Sequence, residues 1–296
     1  MKGYAQVHLC VVLWGFSAIL GRVISLDAFS LVWWRTVLAV ALLLAVPRVW
    51  RELRAIPRRH LGAYAGIGAL LSGSWILFYL SVKLANASVA AICMGAAPLV
   101  LALIEPMVGG ERFSLRQLLL GIGVIPGVVL VAGGAPAAMR LGLLVGIAAA
   151  ATAAGFTVLN KRMVHAASPL CATSLELGAG AVVLSLAALA IPGGATAIQV
   201  PHGQDVWLVL VLAFGVTLAP ILLMLMALRH VSAFAQQAAT NLEPVYAVIF
   251  AIPILGEQHQ LGPLFYLGVV VVVGTVVLEP SIRLMQLRRL AQGWRQ

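Results

Sequence analysis

Charge is what this sequence has least of. Among 296 residues there are 19 lysines and arginines and nine aspartates and glutamates, 9% in all, where a soluble domain carries about 25%. So few charges cannot cover a wetted surface. Cysteine is as sparse: Cys10, Cys93 and Cys171 each lie in or beside an apolar segment, an odd, scattered set that excludes a disulfide framework and the spacing of a zinc site. No HExxH, GxSxG, Walker lysine loop or CxxC occurs. The glycine runs "GIGALLSG" and "GIGVIPG" sit inside apolar stretches without strands, so they lack the setting of a phosphate loop. Without a nucleophile–base pair, ligand spacing or dense acidic set, neither enzyme activity nor a metal or other cofactor is expected. A net charge of +10 would suit nucleic acid in a soluble protein. Here the basic residues fall in short gaps between apolar segments, which fits membrane topology and excludes that partner.

What the sequence has is apolar length: 62% of residues are hydrophobic and mean hydropathy is +1.05. A membrane span needs about 20 apolar residues. By that measure the chain is an all-α polytopic membrane protein, with ten transmembrane helices near 5–24, 28–46, 61–82, 86–108, 114–134, 141–160, 170–191, 206–228, 232–255 and 262–280. Charged or turn-forming breaks such as "PRVWRELRAIPRRH" separate them. The weakest division lies between the first two, where Arg22 to Asp27 must hold the turn. Ten spans leave both termini on one side. If that side is cytoplasmic it holds 15 basic residues against three, Arg22, Lys83 and Arg140, on the other. That bias predicts cytoplasmic termini in a bacterial-type inner (plasma) membrane.

The chain also repeats itself. "SVAAICMGAAPLVLALIEPMVGGE" (Ser88–Glu111) lies over "FAQQAATNLEPVYAVIFAIPILGE" (Phe234–Glu257) without a gap, matching Pro98 with Pro244, Gly110 with Gly256 and Glu111 with Glu257. Two halves follow, residues 1–137 with helices 1–5 and residues 138–296 with helices 6–10 and a short basic tail. Five helices is an odd number, so the second half enters the membrane inverted. Inverted repeats of this kind typify secondary transporters, with the site near the midplane between the halves. These two blocks, with "LWGFSAILG" near the start, resemble the paired EamA domains of the drug/metabolite transporter superfamily. The resemblance covers essentially the whole chain. It implies ten helices, alternating access and transport of small metabolites, often export of amino acids or related compounds. The halves depart from each other in chemistry: Gln236, Gln237, Thr240, Asn241 and Glu243 face Ala90, Ala91, Met94, Gly95 and Ala97.

That departure marks the candidate site. Glu243 falls about eleven residues, roughly 16 Å, into the ninth span. An acidic group at that depth costs about 2.5–3.5 kcal/mol on insertion scales, so it is expected to face a cavity or a partner. Pro244 cannot donate a backbone hydrogen bond and frees the carbonyl of Thr240. Gln236, Thr240 and Glu243 share one helix face, and Gln237 and Asn241 line the next. Glu243 would bind a substrate amine, a coupling proton, or each in turn; the competing reading is a structural ion pair or a helix cap. Arg35 and Glu176 lie at similar places in the two halves and are candidates for gating or coupling. Arg35 has three courses open: snorkelling outward, attracting an anionic group, or anchoring a gate. Trp75 and Tyr79, at i and i+4, and the deeper Trp14 are candidates to wall the substrate pocket and stack on a cation, with plain packing as the alternative. Glu105, near a span end, is expected to reach water. The expected partners are a small-molecule substrate, membrane lipid and a coupling proton. The expected activity is proton-coupled export of small amine-bearing metabolites, amino acids first. Efflux of hydrophobic cations, or a non-transporting receptor or assembly role, are the alternatives.

Overall fold

A computed structural model describes residues 2–109, 113–163, 166–190, 194–227 and 242–275, and every regular element among them is a helix. The first half comprises α1 (Lys2–Val23), α2 (Ala28–Leu44), α3 (Pro47–Ala55), α4 (Arg58–Leu84), α5 (Ala87–Met94), α6 (Ala97–Ile104) and α7 (Leu115–Gly134). In the second half stand α8 (Arg140–Met163), α9 (Pro169–Ala190), α10 (Gln204–Leu210), α11 (Ala219–Ala227), α12 (Glu243–Leu255) and α13 (Pro263–Thr275). Wider π turns continue α6 over Glu105–Gly109 and join α10 to α11 over Val211–Leu218. Six helices of this set are long and apolar enough to cross a membrane, or seven if the bent pair α2–α3 is one span; α12 and α13 are shorter apolar helices.

Local chemistry sets where these helices begin and end. Asp27 caps α2, its carboxylate accepting from the amides of Phe29 (2.8 Å) and Ser30 (3.0 Å); such caps contribute about 1 kcal/mol. The Asn86 side chain caps α5 through the Val89 amide (2.9 Å), and Ser168 with Pro169 opens α9. α12 ends at Gly256, whose φ of +66° is the left-handed turn that closes helices and that a Cβ would strain. One break runs differently from its sequence signal. "PRVWRELRA" was expected only as a charged connection, yet it winds into α3 at 92° to α2. Proline at its start is helix-compatible, and four charged side chains in nine residues keep it across the helix ends.

The two prolines matched in the repeat occupy the same structural place. Pro98 stands in the first turn of α6, after the chain breaks at Gly95–Ala96, and Pro244 stands in the first turn of α12. Proline lacks the N–H that a first turn leaves without an intrahelical partner, so each is suited to the opening turn in which it stands.

Packing obeys the same exchange of halves. With the apolar segments numbered in order, the first packs on the eighth (α1 on α11) as the sixth packs on the third (α8 on α4). The first meets the ninth (α1 on α12) as the sixth meets the fourth (α8 on α5 and α6). The third meets the seventh (α4 on α9) as the eighth meets the second (the 211–218 turn on α2). Segments two and seven, and four and nine, pair with their own mates. The fifth and tenth do so through glycine: a Cβ at Gly268 of α13 would come 2.6 Å from the Gly127 carbonyl oxygen of α7. Small residues there let two backbones touch, which is how helices associate where lipid is as apolar as leucine.

Candidate functional site

Arg35 turns inward. Its neighbours Trp33 and Trp34 use their indole N–H groups at the periphery, on Ser185 Oγ (3.0 Å) and the Gln199 carbonyl (2.9 Å). About 100° further round the helix, the Arg35 side chain is 4% exposed and enters the bundle, so the snorkelling course is not taken. Its Nε donates to Thr217 Oγ1 at 2.7 Å, and Nη1 donates to the Tyr79 hydroxyl at 2.7 Å and to Ser17 Oγ at 3.5 Å. Tyr79 and Ser17 are themselves hydrogen-bonded at 2.6 Å. The Trp75 ring lies under the guanidinium, 3.9 Å from its carbon, with Tyr79 at 5.7 Å. A desolvated cation–π contact of this kind contributes up to about 2 kcal/mol. The aromatic pair expected to stack on a ligand cation thus stacks on the protein's own.

Thr217 brings the second half to this cluster and was not singled out from sequence. It lies in the π turn 211–218, where its hydroxyl donates to the Leu212 carbonyl at 2.8 Å. Pro220 follows, without an N–H to offer the carbonyl four residues back. Single π turns inside α-helices frequently mark functional sites. A threonine three residues before a proline in "GVTLAP" was the available signal.

Glu243 is the first residue of α12, not a residue in mid-helix. It is partly buried, and Tyr246 and Phe250 follow at i+3 and i+7 on its face. Phe250 stacks on Phe16 of α1 with centroids 4.4 Å apart, and Tyr246 on Phe250 at 6.1 Å. Trp14 packs with Leu242 and Tyr246 in the same cluster. The close approach of α1 and α12 depends on Gly15, where a Cβ would meet Tyr246 Cβ at 2.9 Å and the Ala247 amide nitrogen at 3.1 Å. Among the described residues Glu243 and Arg35 form no direct ion pair. Gln236, Gln237, Thr240 and Asn241 lie outside the described residues.

Glu176 belongs elsewhere. It is buried on α9, accepts from Asn160 Nδ2 of α8 at 3.0 Å, and is not joined to Arg35. Its backbone packs against Gly68 of α4, where a Cβ would strike the Glu176 carbonyl.

Polar contacts between the halves gather at the two ends of the bundle. Beyond α1, the Asp205 carboxylate accepts from the Ser25 amide at 3.2 Å and from its hydroxyl, while Gln199 joins the Asp27 amide (2.9 Å) and the Ser30 hydroxyl (2.9 Å). At this end Glu257, 1% exposed, reaches into the first half. Its two oxygens accept the amides of Ala87 (2.8 Å) and Ser88 (2.9 Å), the opening turn of α5. At the other end Glu105 pairs with Lys161 at 2.7 Å, and the Glu52 carboxylate of α3 takes the Ser168 hydroxyl and Arg48 Nε (2.7 Å). The Ser168 hydroxyl first, and then Arg48, hold the Glu52 carboxyl below its ordinary range. Of these carboxylates Glu257 carried a sequence signal in the "GE" shared by both repeats, and Glu105 in its place near a span end. Its partners lie 170 and 169 residues away.

No curated protein matches this chain. One protein known from a crystal structure has the same fold, with 18% identity and a TM-score of 0.59 over 94% of this chain and 97% of that one. The EamA-like transporter family matches twice, over residues 1–133 and 140–278, the two halves that the repeat and the exchanged packing delimit. The chain belongs to the EamA-like transporter family.

Proposed function

We propose that the protein exports small amine-bearing metabolites, amino acids first, by proton-coupled alternating access. Glu243 carries this reading: a carboxyl with no direct ion pair among the described residues, at the start of a helix inside an apolar segment, on a helix whose Tyr246 and Phe250 pack among side chains of both halves. Such a group binds an ammonium when ionised and is neutral when protonated. Proton and cargo can therefore replace one another at a single place. The chain crosses the membrane ten times as two inverted halves, 1–137 and 138–296, with both termini on the cytoplasmic side of an inner membrane. Two observations support that course. The packing keeps its pattern when the halves are exchanged, and the contacts Ser25–Asp205, Ala87–Glu257, Glu52–Ser168 and Glu105–Lys161 each join segment ends that ten alternating crossings bring to the same side. Arg35, tied to Ser17 and Tyr79 in one half and Thr217 in the other, is the joint across which the halves rock, and Glu176 with Asn160 steadies α9 on α8.

The test is counterflow in proteoliposomes preloaded with single amino acids or polyamines, comparing wild type with Glu243→Gln. Exchange of one compound class, lost or made independent of pH in the variant, supports the reading. Exchange with unchanged pH dependence in the variant demotes Glu243 to structure. The aromatic layer of Trp14, Phe16, Tyr246 and Phe250 favours a second reading, efflux of hydrophobic cations. Inhibition of exchange by unrelated lipophilic cations would identify it.

A further inference from the structure

The stretch that holds α3 carries far more positive charge than it neutralises. Residues 48–59 contain five arginines and a single acid, Glu52. Glu52 is already engaged, accepting from Arg48 Nε at 2.7 Å and from the Ser168 hydroxyl. Arg51, Arg54 and Arg58 are exposed and form no ion pair among the described residues. Orienting a span requires positive charge near its end, but it does not require that charge to be sorted onto one face of a helix.

Here it is sorted. Val49 is buried and Glu52 meets Ser168 at the start of α9, so that side of α3 is turned to the bundle. Arg51 and Arg54 stand about 160° and 140° round from Val49 at 100° per residue. Arg48 and Arg51, with Glu52 and Ala55, line a cleft of about 400 Å³. Beside the arginines, Trp50 is 48% exposed and its indole N–H donates to the Leu44 carbonyl at 2.6 Å, which sets the ring against the last turn of α2. Leu42 and Val46 near the end of α2, and Leu61 near the start of α4, are exposed as well. The 92° turn between α2 and α3 completes the arrangement, because a helix at right angles to a membrane span runs close to the membrane plane. A free phosphate would use the guanidinium groups and leave the tryptophan and leucines in water. An anionic phospholipid offers both partners at one depth: phosphate oxygens that take arginine through paired N–H donors, and chains that cover the apolar residues beside them. Basic helices with tryptophan at the edge bind anionic membrane surfaces by these two contributions together.

We propose that the exposed face of α3, Arg51 and Arg54 with Trp50 at its edge, binds the headgroup of an anionic phospholipid. The opposite face ties α3 to α9 through Glu52 and Ser168, so the bound lipid fastens to the membrane surface a helix that joins the two halves.

The experiment is native mass spectrometry of the full chain in detergent, titrated with phosphatidylglycerol and, separately, with zwitterionic phosphatidylcholine of the same chains. Each arginine near an anionic surface contributes about fivefold to binding, so wild type is expected to prefer phosphatidylglycerol by about 25-fold through Arg51 and Arg54. Arg51→Gln should lower the preference to about fivefold and Arg51→Gln with Arg54→Gln should bring it near one. Arg162→Gln, which removes one exposed charge from α8, should leave the wild-type value. Equal binding of the two lipids by wild type overturns the proposal and leaves the arginines to orientation or to an acidic protein. Displacement of phosphatidylglycerol by an equal concentration of glycerol phosphate also overturns it, since the site would then take a free phosphate compound. These two comparisons need no variant. A preference unchanged in the folded double variant, or lost equally in Arg162→Gln, overturns the assignment to this face.

Discussion

Replacing Glu257 should unfasten the halves at one end of the bundle. The perturbation is Glu257→Ala, with Glu257→Gln as the graded form. The carboxylate is 1% exposed, and its two oxygens accept the amides of Ala87 and Ser88 at 2.8 and 2.9 Å. A hydrogen bond to a charged group is worth about 1.5–3 kcal/mol, so removing both removes about 3–6 kcal/mol and strands two buried N–H groups. Glutamine keeps one acceptor oxygen but turns an NH2 towards the other amide, so about half that loss is expected. At about 2 °C per kcal/mol for a chain of this length, the melting temperature in detergent should fall by about 6–12 °C for alanine and about 3–6 °C for glutamine. The assay is intrinsic-tryptophan thermal unfolding of the purified protein. Aspartate is the control for reach: it keeps the charge but is one methylene short, and should behave more like alanine than glutamine. An alanine variant melting within about 1 °C of wild type would refute the cap as a stabilising tie.

Gly15→Ala should wedge α1 away from α12, because its Cβ would come 2.9 Å from Tyr246 Cβ; overpacking of this kind costs about 1–3 kcal/mol. Gly73→Ala, where nothing lies within 4 Å, should be neutral or stabilising, and equal melting of the two variants would contradict the contact. The tie of Glu52 to Ser168 should be acid-labile. The folded carboxyl lies below its ordinary value of 4.5, so its contribution is complete above that pH and disappears as pH falls through the lower folded value. Ser168→Ala should therefore flatten the decline in melting temperature as pH falls below 4.5, and an unaltered profile would count against the tie.

How much of this was legible in the sequence divides along a physical line. Local signals told true: Asp27 closes the turn into α2, Gly256 ends a helix, and Pro98 and Pro244, matched by the repeat, stand in the first turns of helices at equivalent places. The family membership was readable because the repeat spans the whole chain. Side-chain direction was not. In a soluble helix the polar face announces the outside, but here the lipid-facing side is as apolar as the core, so nothing in "WWRTVL" told whether Arg35 turns in or out. Its partner Thr217 is 182 residues away, and the amides held by Glu257 lie about as far. Helix α3 was hidden for a different reason: its charges signal a break, and they also make a helix that turns 92° from α2.

The position of α1 has a consequence in time. It packs most extensively on α11 and α12, and the Cys10 thiol donates to the Pro220 carbonyl across 210 residues. A ribosome adding about 5–20 residues per second delivers Pro220 about 10–40 s after Cys10. Through that interval the first helix is in the bilayer with Val7, Cys10 and Trp14 turned towards partners that have not yet been made. The first half thus cannot reach its final packing as a separate unit during synthesis. The earliest segment must wait for two of the last.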